Sequence, residues 1–220
     1  MNDEIDNHGD TVPSRLADTV FGLLRQMENE ADTTVGNGLR AGFVHYAKHV
    51  GSDKYERSWT RRLAKLLTQS GHSARNEVTY PGSSKRCDVV VEFEDAGQVW
   101  LEVKSAWKTW IESSGEFKTN SKTLYRSYLL SSAGSMKKSH SAAQDFDKLD
   151  QLKPSDANYV ASLLIGFDAK ASPMDLDVDE LVRHADLLSR GWKGFGPETW
   201  TDCNDDRCRI SCWFWCRKVT

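Results

Sequence analysis

Apolar residues recur three and four apart at Val20, Leu23, Leu24 and Met27, which predicts an amphipathic helix beginning after Pro13. A second helix is expected from about Gly38 to Val50. The strongest helical signal lies in SDKYERSWTRRLAKLLTQSG. Ser52 or Asp53 can cap it, Trp59, Leu63, Leu66 and Leu67 share one face, and Gly71 falls just past its end. ARNEVTY reads as a strand closed by Pro81-Gly82, and CDVVVEFEDAGQVWLEVK, residues 87 to 104, as two strands turning at Asp95-Ala96-Gly97. Residues 105 to 138 are polar and weakly patterned, which predicts a long loop with a short helix around Thr123 to Leu130. SAAQDFDKLDQL is expected to be helical, NYVASLLIGF a buried strand and DLDVDELVRHADLLSRG a helix with an acidic start. ETWTDC and RCRISCWFWCRK complete a terminal hairpin around Asn204, Asp205 and Asp206.

These elements fit an acidic disordered tail at residues 1–12 followed by one α/β domain over 13–220. No apolar run approaches the ~20 residues that span a bilayer, and MNDEIDNHGD is acidic where a signal peptide would be basic. A soluble, cytoplasmic protein without membrane association is expected. The five cysteines, Cys87, Cys203, Cys208, Cys212 and Cys216, then read as reduced thiols. The last four could offer a tetrahedral zinc site, but they lack paired Cys-x2-Cys knuckles, and Cys212 and Cys216 fit better as core residues beside Phe214. Trp213 and Trp215 then fall on the opposite face. The six histidines form no metal or triad spacing.

The net charge of -3 is unevenly distributed: residues 1–33 carry two basic against eight acidic residues, and residues 104–138 seven basic against two acidic. The basic segment also holds Trp107, Trp110, Phe117, Tyr125 and Tyr128, a mixture suited to a polyanion with stackable bases or, equally, to a solvated basic face.

The charged residues around the valine run need a reason. A three-residue loop of Asp95, Ala96 and Gly97 pairs Glu94 with Gln98, sets Val90 opposite Glu102 and Asp88 opposite Lys104, and brings Asp88, Glu102 and Lys104 to one face. Val89, Val91, Phe93, Leu101 and Val103 take the other. Two converging carboxylates repel, so a divalent cation is a natural third party, and Mg²⁺ is commonly held by one or two carboxylates plus water and phosphate oxygens. Lys104 beside it could orient or deprotonate water and stabilise charge at phosphorus. The bland reading is a cross-strand Asp88–Lys104 salt bridge.

The order helix, three strands, helix, strand, with Asp88 opening the second strand and Glu102-Val103-Lys104 ending the third, resembles the PD-(D/E)XK nuclease superfamily over about residues 53–167. Cys87 stands where the family name has proline. The resemblance implies a restriction-endonuclease-like αβββαβ core, a mixed sheet flanked by helices, here extended by N-terminal helices and a C-terminal hairpin. It also implies Mg²⁺-dependent phosphodiester hydrolysis, with Mn²⁺ able to substitute. Glu56, on the apolar stripe of the first core helix, matches a glutamate that reaches the metal in many such proteins, although Asp53-x-x-Glu56 is also a capping-box pattern. Asp88, Glu102 and Glu56 are thus the candidate metal ligands, and Lys104 joins them as a catalytic residue. In the later helix, Gln144, Asp145 and Lys148 read chiefly as solvated positions, with Lys148 the one most worth testing.

The expected partner is nucleic acid, above all DNA, gripped by Arg61, Arg62, Lys85, Arg86, Lys108, Lys118, Lys122, Arg126 and Lys148. A duplex cutter would call for a homodimer or a partner protein. Two other readings stay open: a non-catalytic nucleic-acid-binding or assembly module of the same fold, and a zinc-stabilised interaction domain.

Overall fold

The computed structural model describes residues 12–29, 54–111, 116–120, 129–130, 141–201 and 208–220. Helix α1 (Val12–Asn29) buries Leu16, Val20, Leu23, Leu24 and Met27, the stripe its spacing announces. Helix α2 (Lys54–Gln69) buries Trp59, Leu63, Leu66 and Leu67. It stops at Gly71, whose φ of 93° lets His72 N–H turn back to donate to Leu67 O at 3.0 Å. The expected helix at 38–50 and the capping residues Ser52 and Asp53 lie outside the described residues.

Three strands follow: β1 (Ser73–Thr79), β2 (Arg86–Phe93) and β3 (Gly97–Trp107). After a short hairpin of β4 (Thr109–Ile111) and β5 (Phe117–Thr119) come α3 (Ala142–Leu149), β6 (Tyr159–Ala169), α4 (Asp175–His184), β7 (Lys193–Thr201) and β8 (Cys208–Lys218). Six strands form one mixed sheet in the order β1-β2-β3-β6-β8-β7, with β3 and β6 parallel and every other pair antiparallel. Both faces are covered. Val89, Val91, Leu101, Val103, Leu163, Phe214 and Cys216 pack toward α1 and α2, while Val90, Trp100, Leu164, Trp213 and Trp215 pack toward α3 and α4. The interior strand β6 is therefore apolar almost throughout, as a strand buried on two sides must be. Cys212 and Cys216 are core residues beside Phe214, as their alternation implies. Among the described residues, no helix is long and apolar enough to cross a membrane.

Four details differ from the sequence expectation. The β2–β3 turn is Glu94-Asp95-Ala96, with Gly97 already paired to Phe93 and Gln98 to Glu92, two residues from the expected register. The cause is Asn158, just ahead of β6: its Oδ1 accepts Gln98 N–H at 2.8 Å and its N–H donates to Gln98 O at 2.9 Å, which binds Gln98 sideways to the sheet interior. An even shift leaves every side chain on its face, so Asp88, Glu102 and Lys104 still converge. Second, residues 105–107 are strand and not loop: Ser105, Ala106 and Trp107 pair with Ile165, Gly166 and Phe167. Third, Trp107 is no base-stacking platform. It is buried, stacked on Phe167 at 3.9 Å between centroids and 4° between planes, with Trp59 beyond. Trp110 and Phe117 fall in the hairpin β4–β5, whereas of the helix expected around Thr123 to Leu130 only Leu129 and Leu130 are described, both helical. Fourth, α4 ends at His184, because Asp186 turns left-handed (φ 50°) and Arg190 Nη1 donates to Ala185 O at 2.7 Å.

Gly97 sits at φ 68°, and a Cβ there would meet Asn158 Oδ1 at 2.5 Å. Gly97→Ala is expected to lower unfolding free energy by about 1–3 kcal/mol, read by urea denaturation. An unchanged midpoint would mean that this contact does not hold the register.

Candidate active site

Beyond Val89 and Leu101 the pairing of β2 with β3 stops, while β3 continues to Trp107 along β6. The β2-facing edge of β3 is thereby left with two amides to satisfy. Val103 N–H donates to Asp88 Oδ2 at 2.8 Å, and Ser105 N–H donates to Glu56 Oε2 at 2.8 Å. Carboxylates have taken the place of a partner strand, and buried amides need such partners. Glu56 also accepts from Ser105 Oγ at 3.0 Å, which joins the start of α2 to β3. Opposite Asp88 on β1, Glu77 is held at φ 53°, and its carboxylate pairs with Arg86 at 3.1 Å and approaches Arg57 at 4.0 Å.

Glu102 lies on the next inward position of β3, 4% exposed. Its Oε1 accepts from Tyr80 Oη at 2.6 Å and from Lys148 Nζ at 3.0 Å. Lys148 reaches it from α3, where the Ser141–Gln144 capping box fixes the first turn. One turn before Lys148 on that helix, Asp145 is 1% exposed and lies 2.6 Å from Lys148 Nζ and 3.6 Å from Lys104 Nζ. Neither of its oxygens has a hydrogen bond of good geometry despite these ionic contacts. Lys104 completes the group, 3.6 Å from Glu56 Oε1. Four acids, Glu56, Asp88, Glu102 and Asp145, thus surround two lysines.

The electrostatics follow from that imbalance. Burial raises the Asp88 carboxyl from 3.8 to about 6, partly offset by hydrogen bonds from Glu102 and Val103 N–H. Glu102 is pushed well above the ordinary range by burial, then by Asp145 and Asp88, with Lys148 opposing. The two carboxyls act on each other in opposite senses, Asp88 raising Glu102 while Glu102 lowers Asp88, so Glu102 keeps its proton the more firmly. Burial pulls Lys104 down, but Asp145, Glu56, Asp88 and Glu102 outweigh it and keep the ammonium charged above its usual range. Lys148 is held up in the same way, with Asp145 and then Glu102 outweighing its burial. Tyr80 stays a phenol because burial, Cys87 and Glu102 all oppose its ionisation. Burial likewise keeps the Cys87 thiol protonated, against the carbonyls of Val89 and Leu101.

Of the candidates read from sequence, the structure brings together Asp88, Glu102, Lys104, Glu56 and Lys148. Arg61, Lys85 and Arg86 are exposed and Arg62 half-buried. Lys108 is engaged with Asp177 at 2.9 Å and with Pro173 O at 2.7 Å, and Lys118 pairs with Glu116 at 2.7 Å. Lys122 and Arg126 lie outside the described residues, as do Cys203 and the side chain of Cys208. Asp145 is no solvated position. The signal was there, since it shares the helical stripe of Ala142, Phe146 and Leu149. Tyr80 carried only the weaker hint that a buried phenol needs an acceptor.

Among the described residues, no three His, Cys, Asp or Glu side chains form a ready metal shell. The donor set nevertheless suits Mg²⁺, which takes one or two carboxylates and fills its octahedron with water and phosphate oxygens. Asp88 and Glu102 are both raised by burial and by neighbouring acids, a repulsion that a cation would relieve, and Asp145 presents buried oxygens lacking well-directed donors.

A raised carboxyl costs stability once it ionises. Between pH 3.8 and about 6 the folded chain holds the Asp88 proton that the unfolded chain has lost, so stability falls as pH rises through that window. The shift corresponds to a cost on the order of 3 kcal/mol above the window. Asp88→Asn keeps an acceptor for Val103 N–H and removes the buried charge. It is expected to stabilise the metal-free protein by about 1–3 kcal/mol at pH 8 and by much less below pH 4, measured by urea denaturation. Destabilisation at pH 8 would contradict the charge strain described. Comparison of the chain with protein-family models, curated proteins and solved structures gives no match, so the chemistry of this cluster alone carries the functional reading.

Proposed function

We propose that this protein is a Mg²⁺-dependent phosphodiester hydrolase, a nuclease acting on DNA, built on a restriction-endonuclease-like core. The observation that carries the reading is the convergence of Glu56, Asp88, Glu102 and Asp145 around Lys104 and Lys148 at the point where β2 leaves β3. The element order α2-β1-β2-β3-α3-β6 supports it, since it is the order the superfamily resemblance implies.

Asp88 and Glu102 would hold the metal, which when bound supplies Lewis-acid stabilisation at the phosphate and acidifies a ligated water. Tyr80 and Lys148 fix Glu102 by one oxygen, leaving its rotation little freedom. Lys104, held as an ammonium, suits donation to a phosphate oxygen on which charge accumulates and not proton abstraction from water. Glu56 positions Lys104 and the β3 edge, and can turn toward a metal only by giving up Ser105. Phosphate capture outside this cluster falls to exposed Arg61 and Arg86.

One observation favours the alternative of a non-catalytic nucleic-acid-binding or assembly module. Lys104 and Lys148 each bridge two acids, a compensation that needs no metal. Incubation with labelled DNA in Mg²⁺, Mn²⁺ or EDTA separates the two. The nuclease reading expects metal-dependent cutting, abolished in Asp88→Ala and Glu102→Ala and slowed about 10²–10³-fold in Lys104→Ala. Binding without cutting in any metal would favour the module.

A further inference from the structure

A cleft of about 420 Å³ opens beside Glu102, between the β1–β2 turn and the end of α3. One wall is Tyr80, Pro81, Gly82, Ser83 and Lys85, and the other runs from Lys148 through Gln151, Leu152 and Lys153 to Asp156. Two of its wall residues, Tyr80 and Lys148, both donate to Glu102 Oε1, so one side chain separates the cleft from that carboxylate. Its mouth carries Lys85 and Lys153, both exposed. The one acid there, Asp156, is occupied by Lys153 N–H at 3.1 Å and by Ser155 Oγ at 3.3 Å. With Lys148 already shared between Glu102 and Asp145, Lys85 and Lys153 at the mouth outnumber Asp156 and favour an anion there, while Tyr80, Pro81 and Leu152 give the cleft an apolar side.

Its volume falls at the lower end of the range, about 300–1,000 Å³, typical of pockets that enclose a single small ligand. A stacked base pair is too broad to enter, whereas one nucleotide, with a flat apolar base and a phosphate, matches both the size and the lining. We propose that this cleft receives one unpaired nucleotide flanking the phosphate that is attacked, so that the substrate is a nucleic acid with a single-stranded segment, overhang or frayed end. The proposal rests on the nuclease reading and narrows it. Lys85 and Lys153 hold the flanking phosphate at the mouth, and Pro81 and Leu152 contact the base. An intact duplex would have to surrender a pair to place its phosphate at Asp88 and Glu102, which costs unpairing energy that an overhang does not pay.

The test is equilibrium binding by the full-length Asp88→Asn protein in Mg²⁺, followed by fluorescence anisotropy. The probes are a short blunt duplex, the same duplex with an overhang, and a single strand, with thymidine monophosphate as competitor. The overhang and the single strand are expected to bind at least about tenfold more tightly than the blunt duplex. Added Lys85→Glu and Lys153→Glu should erase that preference and reduce the salt dependence by about one phosphate contact. Gln151→Trp, at an exposed wall position, should erase it by filling the cleft, and melting curves matching the parent confirm that both variants fold. Equal affinity for blunt and unpaired probes, or equal losses on both in the variants, overturns the subsite while leaving wild-type cleavage intact. Thymidine monophosphate binding as tightly as the strand overturns it in favour of a free nucleotide. Failure to bind any nucleic acid removes the subsite together with the reading beneath it, and the wild-type cleavage assay reports that second failure separately.

Discussion

The site depends on the parting of two strands. While β2 and β3 run together their backbones satisfy one another; past Val89 and Leu101 they separate, and β3 still has donors facing empty sheet. Asp88 and Glu56 supply the missing acceptors through their side chains. A carboxylate recruited to a sheet edge in this way cannot rotate freely, and the second oxygen of Glu56 lies 3.6 Å from Lys104 Nζ. The constraint therefore produces both the opening and the orientation of the acids around it.

From that gap the remaining charges follow in order. Glu102, beside Val103, is too buried to ionise readily near Asp88, and Lys148 and Tyr80 both donate to its Oε1. Asp145 balances Lys148 and draws Lys104 inward. Each lysine spans two acids and each acid touches a donor, yet negative charge still exceeds positive. A cluster of four acids set around two lysines and withdrawn from water is costly relative to an apolar packing of the same volume. Its presence in an otherwise well-packed interior is better explained by what it can bind than by what it contributes to folding.

Much of this was legible in the chain. The stripe from Trp59 to Leu67, the capping box of SAAQ, the apolar run of β6 and the alternation of ISCWFWC each carry their own periodicity, and the structure follows them. The face shared by Asp88, Glu102 and Lys104 was also readable, because alternation survives an even error in register. What could not be read was anything set by a distant partner. Gln98 takes its register from Asn158, and Trp107 is a core residue only because Phe167 lies beside it. Asp145 belongs to the site because α3 docks across β3 and β6; its helical stripe says that it points inward but not that lysines await it there.

The parallel pairing of β3 with β6 has a consequence in time. Glu56, Asp88, Glu102 and Lys148 come from four elements, and the strand that locks β3 in place is joined to it across a separation of 60 residues, as between Gln98 and Asn158. Contacts of such long range are made late, because loop closure must be accomplished before they return any stability. Lys148 precedes β6 along the chain and faces Glu102 only once α3 has settled over the completed pair. A nascent chain released through Trp107 thus carries every acid of the β2–β3 hairpin but no assembled cluster. Whatever reactivity the cluster has is withheld until the second half of the polypeptide has folded against the first.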